Sequence, residues 1–242
     1  MIVTIRAHRL LLFIIAHIAT TLCAQETQSL NTLLNTTDKF YGSNDLISLG
    51  ELYRPNNLAA KGSPYFTSQY TTSSITTKGH IFNNQTTRYN LETGELILLT
   101  KVDTGRLIPI SVNNSWIDNF SFEDHCFVNI QHVFPSINAK GYYELIYSGS
   151  HSFFIKYSKT FISSYNTSTP NGYYSKLKYT YHLHNGVHFI NIKNQKEFLK
   201  VYKENKKEIK KFLSANSIKF STATTIQLNL LMQFCNAQLE KK

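Results

Sequence analysis

A chain of 242 residues that is 42% hydrophobic and 17% charged, with abundant Tyr, Phe, Ile and Thr, excludes intrinsic disorder and is long enough to bury a sizeable, sheet-rich core. The formal net charge of +10 is unevenly placed: residues 25–190 carry 12 basic and 11 acidic side chains, whereas residues 191–242 carry 11 and 4. The positive charge therefore belongs to the last fifth of the sequence.

The first twenty-four residues read as a leader. Arg6, His8 and Arg9 form a basic start, Leu10 to Ala16 an unbroken apolar run, and Leu22-Cys23-Ala24 ends on a small residue. Cleavage is expected after Ala24, with export to the periplasm, the outer surface or the medium. The apolar run is too short to span a bilayer, and Leu22 before Cys23 does not suit lipidation. A basic segment on an exported protein points to a glycan, an anionic lipid or another envelope protein, and no nucleic acid is expected.

Residues 25–64 carry no clear period, apart from a short amphipathic stretch at Leu30, Leu33 and Leu34. From Tyr65 the period becomes two. Strands are expected over Tyr65–Ser74, Ile81–Asn84, Thr87–Leu91, Glu95–Val102, Arg106–Val112, Cys126–Phe134, Gly141–Tyr147, Ser152–Tyr157, Lys176–His184 and Val187–Ile192. Their close spacing, with no helical pattern between them, implies antiparallel meanders.

The sharpest local expectation is a hairpin at Asn185-Gly186, a pair suited to a two-residue turn in which both positions take positive φ. That turn would pair Leu183 with His188, Tyr181 with Ile190 and Tyr179 with Ile192, and would bury Tyr179, Tyr181, Leu183 and Ile190 on one face. After Ile192 the period turns helical. Asn194 with Glu197 resembles a capping box, and Phe198, Val201, Tyr202, Ile209, Phe212 and Leu213 form one stripe. A break at Ser214–Ser221 precedes a second helix over about Thr222–Glu240. The expected class is α+β: an antiparallel, twisted sheet or partial barrel over residues 65–192, closed by two C-terminal helices within residues 193–242.

The leader, the segments Ala60-Lys61-Gly62-Ser63-Pro64-Tyr65-Phe66, Arg88-Tyr89-Asn90-Leu91 and Gly141-Tyr142-Tyr143-Glu144-Leu145-Ile146-Tyr147, and the lysine-rich tail together resemble a group of uncharacterised exported proteins common in Bacteroidetes. The resemblance implies an envelope or secreted setting and carries no catalytic residue with it.

Few constellations carry chemistry. Asp103-Thr104-Gly105 matches the triplet of dimeric aspartic proteases, but Arg106 stands where a small residue is needed and Glu92-Thr93-Gly94 repeats the pattern, which reads as hairpin turns. His182, His184 and His188 look like metal ligands in the linear sequence, but strand alternation sends His188 to the other face. His125 and His132 likewise alternate across their strand, with Cys126, Val128 and Ile130 on the core side. No catalytic, cofactor or metal residue is assigned.

Two sets of residues remain. Lys196, Lys200, Lys203, Lys207 and Lys210 could contact an anionic surface, or could be the ordinary wet face of a docked helix. Cys126 and Cys235 could pair in an oxidising compartment, or could be separate buried thiols. The function expected is non-enzymatic binding or scaffolding in the bacterial envelope. The alternatives are a hydrolase acting on an envelope polymer and a membrane-surface module working through the lysine helix.

Overall fold

The computed structural model describes residues 47, 50–102 and 104–239. The expected leader with its cleavage site, and Asp103, lie outside them. The chain divides into two compact units, Met1–Ile47 and Ser48–Lys242, and the fold described below is that of the second.

Eleven strands form one open antiparallel sheet. In chain order they are β1 (Gly50–Leu52), β2 (Thr71–Thr77), β3 (His80–Asn90), β4 (Glu95–Lys101), β5 (Leu107–Val112), β6 (Ile117–Phe122), β7 (His125–Asn129), β8 (Tyr142–Tyr147), β9 (Ser152–Ser158), β12 (Lys178–His184) and β13 (Phe189–Ile192). Their spatial order is β1-β5-β4-β3-β2-β6-β7-β8-β9-β12-β13. Two meanders thus sit side by side, joined where β6 pairs with β2. A small ribbon, β10 (Phe161–Ile162) with β11 (Tyr173–Tyr174), stands apart. The broad α+β expectation holds, and the sheet does not close.

The period-two signal dictates how the faces are filled. Phe82, Ile75, Phe120, Phe127, Glu144, Ile155, Tyr181 and Ile192 pair in succession across the sheet from β3 to β13. Directly paired residues share a face, so these eight side chains form one row. All eight are buried. In a flat sheet β3 and β8 would lie about 19 Å apart, four strand spacings, yet the rings of Tyr89 on β3 and Tyr142 on β8 have centroids 5.9 Å apart. The sheet is therefore strongly coiled, and Tyr89, Phe120, Phe127 and Tyr142 fill its concave side.

Several expectations are corrected. β6 was not anticipated because its alternation is broken: Thr76 pairs with Asn119 and Thr77 with Ile117, so Asp118 is the extra residue of a bulge, and Ile117 and Phe120 are both buried although three apart. The strand expected to Phe134 stops at Asn129, whose side chain caps a helical turn, α1 (Ile130–Val133), by accepting from Gln131 N–H. Strand alternation thus says nothing about His132, which pairs with Asp118 at 2.8 Å. Residues 50–52, within the stretch read as irregular, form an edge strand on β5.

The C-terminal segment holds three helices rather than two: α2 (Gln195–Val201), α3 (Lys206–Ala215) and α4 (Thr225–Leu239), with a 3-10 turn at Phe220–Thr222. The stripe read as continuous has Asn205 and Lys206 where its middle turn should be apolar, so each half docks by its own anchors, Phe198 and Leu199 on α2, Ile209 and Leu213 on α3. The expected cap at Asn194 is present, accepting from Glu197 N–H at 3.0 Å, while Glu197 Oε2 accepts from Lys193 N–H at 2.9 Å. Together with Phe153, Ile155, Tyr181, Leu183 and Ile192 of the sheet, and Leu228, Leu231 and Met232 of α4, these anchors make one extensive apolar cluster. A smaller cluster of Val128, Ile130, Tyr143 and Phe154 includes the partly buried Phe134 and Phe189 at its margin.

Candidate ligand-binding cleft

The hairpin at Asn185-Gly186 forms, but in a different register from the expected one. Leu183 pairs with Ile190 and Tyr181 with Ile192, so Asn185 to His188 make a four-residue loop. Asn185 explains the longer loop: its side-chain oxygen accepts from both Val187 N–H at 3.2 Å and His188 N–H at 2.8 Å. A slip of two residues keeps every side chain on its face, so the apolar pattern cannot tell the two registers apart. His188 is exposed in the loop, and among the described residues no three metal-ligating side chains gather.

The slip has a consequence at the other end of the hairpin. Tyr179, expected to face Ile192, has no partner on β13. Asn185 N–H donates to His188 C=O, and the alternation of an antiparallel ladder then turns the N–H and C=O of Leu183, Tyr181 and Tyr179 to the same side. Leu183 and Tyr181 meet β13, whereas the backbone of Tyr179 opens into a cleft of about 780 Å³. The cleft is lined by three segments: Tyr179–Tyr181, Asn191–Gln195 and Ile218–Ser221. Tyr179 was expected to be buried, and its side chain is 46% exposed. Its phenol donates to Ser221 C=O at 3.1 Å, and its ring stands 5.4 Å from Tyr181, which lies 5.2 Å from Phe220. Aromatic faces and one unpaired backbone donor and acceptor thus line the cleft together with Gln195, whereas Asn191 pairs with His182 and shares that residue's face of the sheet, opposite to Tyr181. Lys193 and Lys219 bring charge, and none of the lining residues is acidic.

A second polar cluster lies on the concave face. Glu144, the one acidic member of the buried row, accepts from Tyr157 at 2.6 Å and holds His125 Nδ1 at 2.6 Å. That contact raises the His125 pKa against the opposing effect of burial, and burial with the Glu144 contact pushes the Tyr157 phenol up. The segment before β2 roofs the cluster. Phe66 sets its ring 4.9 Å from His125 and 5.0 Å from Tyr157, while its N–H donates to Tyr89 C=O. Lys159 holds the same segment by donating to Ser63 and Tyr65 carbonyls, and the Arg88 guanidinium lies 3.6 Å over Tyr65 and donates to Ser68. The segments at residues 60–66, 88–91 and 141–147 therefore meet at one place. Both carboxylate oxygens of Glu144 are engaged, which makes this a structural anchor.

The other expected residues do not converge. Lys196 and Lys200 lie on α2, Lys203 follows it, and Lys207 and Lys210 lie on α3, all exposed. Cys126 packs against the cluster of Val128 and Phe154, and Cys235 within the helix cluster, each a free thiol. Burial pushes the Cys235 thiol up to about 12.

Glu144 had a visible signal, a lone acid in the apolar run Tyr142–Tyr147. Lys219 and Phe220 had none, because only the chain's return from α3 brings them to the β12 edge. Comparison with protein families, curated proteins and solved structures finds no match to this chain.

Proposed function

We propose that the chain is an exported, non-enzymatic binding protein of the bacterial envelope that holds a polyhydroxylated ligand, a glycan, in the cleft at the β12 edge. The observation that carries this reading is Tyr179, a half-exposed ring beside its own unpaired backbone N–H and C=O. A sugar presents an apolar C–H face and a rim of hydroxyls, and an aromatic surface next to fixed donors and acceptors suits both. Isothermal titration with a panel of envelope oligosaccharides tests it. Tyr179→Ala should weaken binding at least tenfold, about 1.4 kcal/mol, while Tyr165→Ala, an exposed tyrosine elsewhere, should not. Equal affinity in the Tyr179 variant would overturn the assignment.

The hydrolase reading has one contact in its favour, Thr180 Oγ1 with His182 Nε2 at 3.0 Å. Three observations weigh against it. Burial, reinforced by Lys156, holds the His182 pKa down at about 4, a weak base at neutral pH. Its Nδ1 has no hydrogen-bond partner, so no carboxylate orients the ring. The ring is instead stacked on Phe189 and edge-on to Tyr143.

A further inference from the structure

The basic C-terminal fifth contributes charge to the cleft in a specific way. Lys193 comes from the end of β13 and Lys219 from the segment after α3, so two cations reach one cleft from separate parts of the chain. No Asp or Glu lines the cleft; the nearest carboxylate in sequence, Glu197, lies outside the lining and accepts from the Lys193 N–H at 2.9 Å, so one negative charge sits beside the two cations. Lys178 at the end of β12 and Lys196 on α2 add positive charge on the adjoining surface.

Resting on the glycan reading above, we infer that the ligand is an acidic polysaccharide, a chain of carboxylated sugars, with Lys193 and Lys219 taking its carboxylates and Tyr179 the sugar face between them. The geometry separates this from attraction to an anionic surface through the lysines of α2 and α3. Lys207 and Lys210 lie on α3, which contributes no residue to the cleft lining, so a surface attraction would use them and the cleft would not matter. It also separates charge from shape, because the aromatic wall would accept a neutral sugar equally well.

Polygalacturonate and its fully methyl-esterified form share one sugar backbone and differ by the methyl group that removes the charge of each carboxylate, and they are the probes. With the full exported chain, titration should give binding to the acid form, at least tenfold weaker binding to the ester, and a steep fall in affinity with salt, as expected for exposed charges screened over about 8 Å. Lys193→Gln with Lys219→Gln should lower affinity for the acid form about tenfold, as two lost contacts of water-exposed charges would, and should leave the ester unchanged. Lys207→Gln with Lys210→Gln should change neither. All four positions are exposed, so circular dichroism should show every variant folded.

Equal binding of acid and ester, or no effect of the Lys193 and Lys219 changes, would overturn the acidic-ligand inference and leave the glycan reading standing. Binding of neither form would overturn the acidic-ligand inference, and the oligosaccharide panel above then decides the glycan reading. Loss of binding through Lys207 and Lys210, or equal capture by phosphatidylglycerol vesicles, would overturn the inference in favour of an anionic-surface contact.

Discussion

Glu144 shows how one polar residue can be kept inside an apolar row. A carboxylate withdrawn from water is costly unless its oxygens are satisfied, and here a phenol and an imidazole satisfy one each. Removing one donor leaves the acid short. Tyr157→Phe should therefore destabilise by about 2 kcal/mol, in the range for a hydrogen bond to a charged group, measured by urea denaturation. The same cluster sets a pH dependence. The His125 pKa is raised in the folded state, chiefly by the Glu144 contact, so its stabilising contribution is complete below the unfolded value of about 6.5 and is lost as pH rises through the raised folded value. The denaturation midpoint of the native protein should fall across that window. In Glu144→Gln the fall should flatten, and an unchanged profile would show that His125 does not report on Glu144. The cysteines give a third prediction. With both thiols free and Cys235 buried, a thiol reagent should find Cys235 unreactive in the native protein and two thiols in a denatured chain made without residues 1–24. None after denaturation would establish the disulfide.

At the scale of elements, the sequence was legible wherever a short apolar or alternating run was bounded by turn residues. β4, β5, β8 and β9 fall within a few residues of their expected bounds because each is a short run rich in apolar and aromatic residues set off by turns, although β4, β8 and β9 bury three or four residues in succession. β6 was hidden by one bulged residue, Asp118, and the break in the lysine helix at residues 202–205 was hidden because the two short apolar stripes on either side of it lie in phase. The hairpin is the more instructive case. Asn185-Gly186 announced the turn, and the pattern fixed which face was buried, but the register depended on where the Asn185 side chain found its donors. The cleft arose from that slip, which is why its floor residue, Tyr179, was read as buried. Gly172 illustrates a local constraint with no signal in the pattern: it takes φ +75°, and a Cβ there would lie 2.6 Å from Phe161 Cζ and 2.8 Å from Ile162 C=O. Since both the conformation and the space are closed to a side chain, Gly172→Ala should disrupt the β10–β11 ribbon. The backbone amide of Lys61, which donates to Gly172 C=O at 3.1 Å, should then lose protection in hydrogen exchange.

For the whole molecule the question is whether two meanders and several apolar clusters behave as one body. The hydrogen-bonded ladder is unbroken from β1 to β13, and the row from Phe82 to Ile192 crosses both meanders without a seam. The segment at residues 63–66 adds a second tie, bonded to the β3–β4 region at Tyr89 and Leu91 and to β9–β10 through Lys159. Such continuity argues for cooperative unfolding, with no weak plane at which one half could open alone. The chain supplies its own probes. Its single tryptophan, Trp116, precedes β6, with the Lys78 ammonium 5.0 Å from its ring, whereas helices α2–α4 all follow β13. Fluorescence thus reports the junction of the two meanders, where β6 pairs with β2, and the helical dichroism the β8–β13 end of the sheet. The two signals should fall at the same denaturant concentration. Leu231 on α4 is fully buried in the helix cluster, so Leu231→Ala should cost about 2 to 5 kcal/mol. If the sheet transmits that loss, the Trp116 transition must move by the same amount as the helical one. A fluorescence curve that stays in place while the helical signal shifts would show that the helix-bearing end unfolds without the junction at β2 and β6, and that the row across the sheet does not couple them.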